Sequence, residues 1–153
     1  MARTAREDNL ALRGALLVEL AAGAAVAAGD ALYLDSSGKV QKLTAAQQNN
    51  RIGVAQNAAA LNETVRVQVA GKAQCVADAA ISVGARVGAP ATTAGRVATA
   101  ANSLAIASGG TTVTSTAANG AIVTGDPVVS RVLGIALTAA ASAGDPITIL
   151  LTL

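Results

Sequence analysis

The sequence has no histidine, tryptophan or phenylalanine, and one tyrosine and one cysteine among 153 residues. Without histidine, Ser-His-Asp and Cys-His catalysis, imidazole metal ligation and the usual general base near neutral pH are all excluded. One cysteine and no histidine leave a structural zinc site short of its usual ligands, and no EF-hand loop is present. Cys75 has no intrachain disulfide partner, and its setting in Ala73-Gln74-Cys75-Val76-Ala77 reads as a strand that buries an inert thiol. Phosphate-cradling loops are missing as well: no Gly-x-x-x-x-Gly-Lys-Ser/Thr occurs, and no Gly-x-Gly-x-x-Gly opens a helix after a strand. The expectation is a protein that is not an enzyme and holds no cofactor or metal.

Three weaker chemical signals have simpler readings. Asp30, Asp126 and Asp145 each follow a glycine, which invites comparison with a glycosidase carboxylate pair, but Gly-Asp is ordinary turn chemistry. Asn62-Glu63-Thr64 matches a glycosylation acceptor and reads as a turn entering a strand. Lys72, between Gly71 and Ala73, resembles the lysine at a carrier-domain hairpin tip and reads as a solvated side chain.

The shortage of rings also limits the core. Aromatic residues are 1% of the chain, so Val, Leu and Ile must fill the interior. Much of the 52% hydrophobic fraction is alanine, in runs such as Ala58-Ala59-Ala60 and Ala139-Ala140-Ala141, and each alanine buries little area. A thin core of this kind predicts burial of further surface between identical subunits, that is, a homo-oligomer.

Eleven basic residues give a net charge of +2, but they are dispersed beyond the first few positions. With neither a basic groove nor aromatic platforms, no nucleic-acid partner is expected. The apolar stretch around Ala15-Leu16-Leu17-Val18 is broken by Glu19 and closed by Gly29-Asp30, too short for a membrane helix. Glu7-Asp8 and Glu19 also argue against a signal peptide, which points to synthesis in the cytoplasm.

What the chain does contain is short apolar stretches separated by turns. Val65, Val67 and Val69 alternate with Thr64, Arg66 and Gln68, the pattern of a half-buried strand. Further strands are predicted at Leu16–Leu20, Ala31–Leu34, Val40–Leu43, Ile52–Gln56, Arg96–Thr99, Val132–Leu137 and Ile147–Leu151. Asp35-Ser36-Ser37-Gly38 closes one hairpin; Ser108-Gly109-Gly110 closes another between Ser103–Ile106 and Thr111–Thr114. Short helices are allowed at Ala21–Ala28 and Leu43–Asn50, where alanine is dense. The fold class is therefore all-β, a compact barrel- or sandwich-like domain over residues 21–153, preceded by an extended N-terminal arm over residues 1–20. Charged residues crowd the first thirteen positions of that arm.

The landmarks occur twice. Gly29-Asp30-Ala31-Leu32, Gly38-Lys39-Val40, Ile52-Gly53-Val54-Ala55 and Val65–Val69 are followed in the same order by Gly84-Ala85-Arg86-Val87, Gly95-Arg96-Val97, Leu133-Gly134-Ile135-Ala136 and Ile147–Leu151. The second copy carries an insertion from Ala100 to Val128. Each repeat is a turn, a hairpin and a closing strand that cannot bury its apolar face alone, so two together make one core.

This order of landmarks, from about Gly23 to Leu153, resembles the capsid decoration, or head cement, proteins of tailed bacteriophages. Two features depart from that pattern: Ala85 stands in place of the acidic residue of the second Gly-Asp turn, and the Ala100–Val128 insertion is extra. The resemblance implies a β-rich homotrimer on the outer surface of the virion head, bound to the major capsid protein and without catalytic activity. It further implies an arm that reaches neighbouring capsid subunits, with Arg3, Arg6, Glu7, Asp8 and Arg13 as polar contacts and Leu10, Leu12, Leu16 and Leu17 as apolar anchors. The alternative is a surface-exposed adhesin-like β module that binds a glycan or host surface, disfavoured by the lack of an export signal and of sugar-stacking rings.

Overall fold

In the computed structural model, residues 14–100 and 132–152 are described. Their elements run β1 (Leu16–Ala21), β2 (Ala31–Leu34), β3 (Val40–Lys42), a 3-10 helix (Ala45–Asn50), β4 (Arg51–Ala55), β5 (Thr64–Val76), β6 (Arg86–Gly88), β7 (Ala98–Thr99), β8 (Val132–Ala136) and β9 (Pro146–Leu151). All pairings between them are antiparallel. They form one sheet in the order β3-β2-β4-β5-β9-β8-β6-β7, with β1 paired to β5 off that path. The all-β expectation holds, in the form of an open, curled half-barrel.

Most strands fall where the apolar alternation places them. Leu16–Ala21, which the sequence reading shares between the end of the arm and a strand, is β1. The alternating valines and the Cys75 segment belong to one strand, the thirteen-residue β5, which bends at Gly71 (φ +87°). A Cβ on Gly71 would collide with the Gly14 carbonyl, so glycine is required both by conformation and by the chain crossing it. The buried Gln68 spans the bend, its side-chain amide donating to the carbonyls of Ala70 (3.0 Å) and Lys72 (2.7 Å). Of the two alanine-rich segments, Ala45–Asn50 is a 3-10 helix, whereas residues 21–28 are not helical. There the Ala22 and Val26 N–H groups donate to the distant carbonyls of Glu63 (2.8 Å) and Ala59 (2.9 Å), and both side chains are buried. Long-range pairing overrides alanine's helix preference. The hairpin at Ser108–Gly110 and the Gly125-Asp126-Pro127 turn lie outside the described residues.

The duplication is visible bond by bond. Ala22 bridges Val40 as Ala77 bridges Val97, and Val26 bridges Ala59 as Ile81 bridges Ala140. Gly29 N–H donates to the Ala55 carbonyl, and Gly84 N–H to the Ala136 carbonyl, both at 2.8 Å. β1 lies on the first half of β5 as the second half of β5 lies on β9. That strand is therefore the last of the first repeat and the first of the second, which fuses the two units into one sheet. Gly53 and Gly134 are equivalent, and a Cβ on either would run into the carbonyl of the adjacent strand, Gln68 or Leu150.

Each repeat has its own core. Ala22, Val26, Leu32, Val40, Ala55, Ala59, Val65 and Val67 form the first. The second gathers Cys75, Ile81, Val87, Val97, Leu133, Ile147 and Ile149 and also takes in Ala31, Leu43 and Val54 from the first repeat. Ala31 N–H donates to the Gly95 carbonyl (2.7 Å) and Gly95 N–H to the Leu43 carbonyl (2.9 Å), which ties the repeats together beside that shared core.

Candidate docking surface

Alternation should bury one of any two adjacent strand residues, yet Leu16 and Leu17 are 58% and 48% exposed. The cause is a register shift: Leu16 pairs with Ala70 but Leu17 with Gln68, and the irregularity falls between them. A bulge of this kind re-aims a side chain. Beyond it β1 alternates normally, with Val18 and Leu20 packed on the first core and Glu19 exposed. One edge of β1 pairs with β5; its other edge has no ladder among the described residues. Two leucines and a carboxylate thus stand together on an edge strand, next to the point where the chain crosses Gly71.

Of the arm residues implied as capsid contacts, Leu16 and Leu17 are on this strand, while Arg3, Arg6, Glu7, Asp8, Leu10, Leu12 and Arg13 lie outside the described residues. Among the described residues four further large apolar side chains are exposed that were not singled out for this role from the sequence: Leu61, Val83, Leu137 and Leu150. For Leu150 the signal was present, because Leu150-Leu151 at the end of an alternating strand must turn one leucine outward.

The carboxylates are engaged in turns. Asp30 Oδ2 accepts from Ala27 N–H (2.7 Å) and pairs with Lys42 (3.2 Å). Asp145 Oδ2 accepts from the N–H groups of Ala141 and Ser142, both at 2.9 Å. Asp35 caps its hairpin by accepting from Ser37 N–H (2.8 Å), the Ser37 hydroxyl (2.6 Å) and Lys39 N–H (3.0 Å). The Ser37 hydroxyl and the Gln41 amide lead in holding the Asp35 carboxyl well below the usual carboxylate range. Cys75 is 2% exposed, and burial pushes its thiol up to about 12, so it is not a reactive thiolate. Among the described residues no group of three His, Cys, Asp or Glu side chains is placed to hold a metal ion, and no helix is long and apolar enough to cross a membrane. What this surface offers is contact, through exposed leucines on an edge strand.

Residues 2–60 match the phage cement protein family. The match runs from the N-terminal segment through β1 to β4 and ends just beyond Ala59, before β5 closes the first repeat; it begins earlier than the landmark pattern and stops before the second repeat. Over a wider span the fold is similar to that of the head fiber gp8.5 N base of bacteriophage phi29, with a TM-score of 0.51 and 18% identity over 90% of this chain and 94% of that one. At that identity the likeness is one of fold. No curated protein matches the chain.

Proposed function

We propose that this chain is a structural, non-catalytic decoration protein of a phage head, carried on the outer surface of the virion as a homotrimer that stabilises the expanded shell. The family match over residues 2–60 carries this reading. It spans the candidate arm and β1 together, the part of the chain where exposed leucines stand without a described partner. The head fiber base supports the reading through its fold, and the thin, ring-poor core favours self-association.

Mechanically, a trimer presents a modest capsid-binding surface three times, so weak contacts with the major capsid protein add through avidity to a long-lived clamp. Arg3, Arg6, Glu7, Asp8 and Arg13 supply polar contacts, and Leu10, Leu12, Leu16 and Leu17 apolar ones.

The test is co-sedimentation with expanded heads that lack the protein, next to a measurement of solution mass by light scattering. The full chain is expected to be a trimer, three times the 14.8 kDa chain mass, and to pellet with heads at a saturating ratio. Deleting Met1–Arg13 should abolish pelleting and leave the mass unchanged. A full chain that stays in the supernatant at every concentration overturns the reading.

A further inference from the structure

The two repeats carry an equivalent row of residues across one face of the sheet, and beyond the first position of each row only one of them is covered. Directly paired residues on antiparallel strands share a face. Leu17 pairs with Gln68, Gln68 with Val54 and Val54 with Ala31, which defines the row in the first repeat. In the second, Lys72 pairs with Leu150, Leu150 with Ile135 and Ile135 with Arg86. In the first row Ala31 and Val54 are fully buried and Gln68 is 4% exposed, while Leu17, at the β1 end, is 48% exposed. In the second, Lys72 and Arg86 are exposed, Leu150 is 39% exposed and Ile135 is half-buried.

The reason for the difference is internal. Ala31 and Val54 are buried because the second repeat packs on them, with Cys75, Val97 and Leu133 in the same cluster. The fold itself therefore shows what this row of a repeat packs against: another β unit of the same kind. For the second repeat no third unit follows in the described chain. We propose that the face built by Leu150 and Ile135, rimmed by Lys72 and Arg86, is the self-association surface, and that its occupant is the first repeat of another copy of this chain.

The chemistry of the rim agrees with such an occupant. Among the described residues neither Lys72 nor Arg86 has a salt bridge or side-chain hydrogen bond. Two cations around an apolar centre seek carboxylates, and the first repeat carries Glu19 exposed on β1 and Glu63 at the entry to β5. A contact from second repeat to first repeat is heterologous. Three copies related by a threefold axis close it into a ring and leave no such face open.

This inference rests on the trimer reading above, and the experiment separates the two. Light scattering on the full chain is compared with Leu150→Glu, Ile135→Glu and Arg86→Glu, each checked for its β-type circular dichroism. Leu150 and Arg86 are exposed enough that substitution leaves the fold intact, and Leu137→Glu, at an exposed leucine off the row, is the control. The expected result is a threefold drop in mass for the Leu150 and Arg86 variants with unchanged dichroism, and no drop for the control. A trimer that persists in both overturns the surface assignment and leaves the trimer reading standing. A full chain that is monomeric at all concentrations overturns both. Variants that stay trimeric but no longer pellet with heads also overturn the assignment, because they give the face to the capsid.

Discussion

The two halves of this molecule share one hydrogen-bond plan but place a key carboxylate differently. In the second repeat Asp78, 7% exposed, reaches across to the β6–β7 connection and accepts from the N–H groups of Ala91 (2.9 Å), Thr92 (2.7 Å) and Thr93 (3.1 Å) and from the Thr92 hydroxyl (3.0 Å). Its equivalent in the first repeat is Gly23, since both N–H groups donate to the carbonyl of the matching strand, Val40 or Val97, at 2.8 Å. There the acid comes from the other side: Asp35 sits in the hairpin loop, and a Cβ on Gly23 would lie 3.0 Å from Asp35 Oδ2 and from Gln41 Cγ. Each repeat thus keeps a carboxylate between its bridging segment and its hairpin loop, while the residue that supplies it changes. The invariant of the fold is the satisfied set of loop N–H donors.

The halves also differ in core depth, and this difference gives the largest expected effect. Leu133 is fully buried in the second core, while its equivalent, Ile52, is only half-buried at the rim of the first. Leu133→Ala should cost about 3–4 kcal/mol of unfolding free energy and Ile52→Ala roughly half as much. Chemical denaturation of the two variants checks this. Equal losses would mean that the second core is no deeper in energy than the first.

Next come the paired glycines. Gly53→Ala and Gly134→Ala each push a methyl group into the backbone carbonyl of the neighbouring strand, where no flexible side chain can yield. Both should lose about 3 kcal/mol, within about 1 kcal/mol of each other. Thermal melts of the two proteins would expose any inequality, and a tolerant site would show that its repeat can open the strand spacing.

The carboxylates separate the halves again at smaller scale. Asp78→Ala strips the acceptor from three N–H groups at a buried position and should cost about 2 kcal/mol. Asp35→Ala opens a solvated hairpin and should cost less. Gly23→Asp combined with Asp35→Gly would test whether the second repeat's arrangement can be transplanted; a melting temperature close to the parent's is the expected outcome.

How much of this was legible follows from which signals are local. Most strand positions were, because valine and isoleucine alternation and Gly-Asp turns are written in neighbouring residues, and β2 begins at Ala31 and ends at Leu34 as the pattern indicates; the three-residue β6 (Arg86–Gly88), too short to show alternation, was not among the predicted strands. The repeat was legible too, from landmarks such as Gly53-Val54-Ala55 and Gly134-Ile135-Ala136. The continuity of β5 was not, because the Val65–Val69 alternation and the Cys75 segment read as separate strands until Gln68 is seen spanning the bend at Gly71. Nor was Asp78: nothing in Ala77-Asp78-Ala79 announces a loop thirteen residues away. The candidate surface divides in the same way. Leu16 and Leu17 stand out as leucines, but that both face outward depends on a register shift against β5, and the uncovered row of the second repeat exists only through cross-strand pairing.

The smallest effect is the acid sensitivity of the two caps. Burial pushes the Asp78 carboxyl up, but hydrogen bonds from Thr92 and Thr93 outweigh it and hold it below its ordinary value of 3.8; Asp35 is lowered more strongly. A carboxyl with a depressed value in the folded state binds a proton more readily once the chain unfolds, so its contribution is complete above about pH 4 and declines as pH falls through the folded-state value. Stability measured between pH 7 and pH 2 should therefore be level down to about pH 4 and drop below it. Asp78→Asn and Asp35→Asn should each flatten part of that drop from about pH 4 downward, and the flattening by Asp35→Asn should reach further toward low pH, because the more strongly depressed group stays ionised longer in the folded state. If the two substitutions flattened the same pH range, the two caps would be electrostatically alike, and the contrast between a carboxylate held by a buried segment and one held in an open hairpin would be confined to geometry.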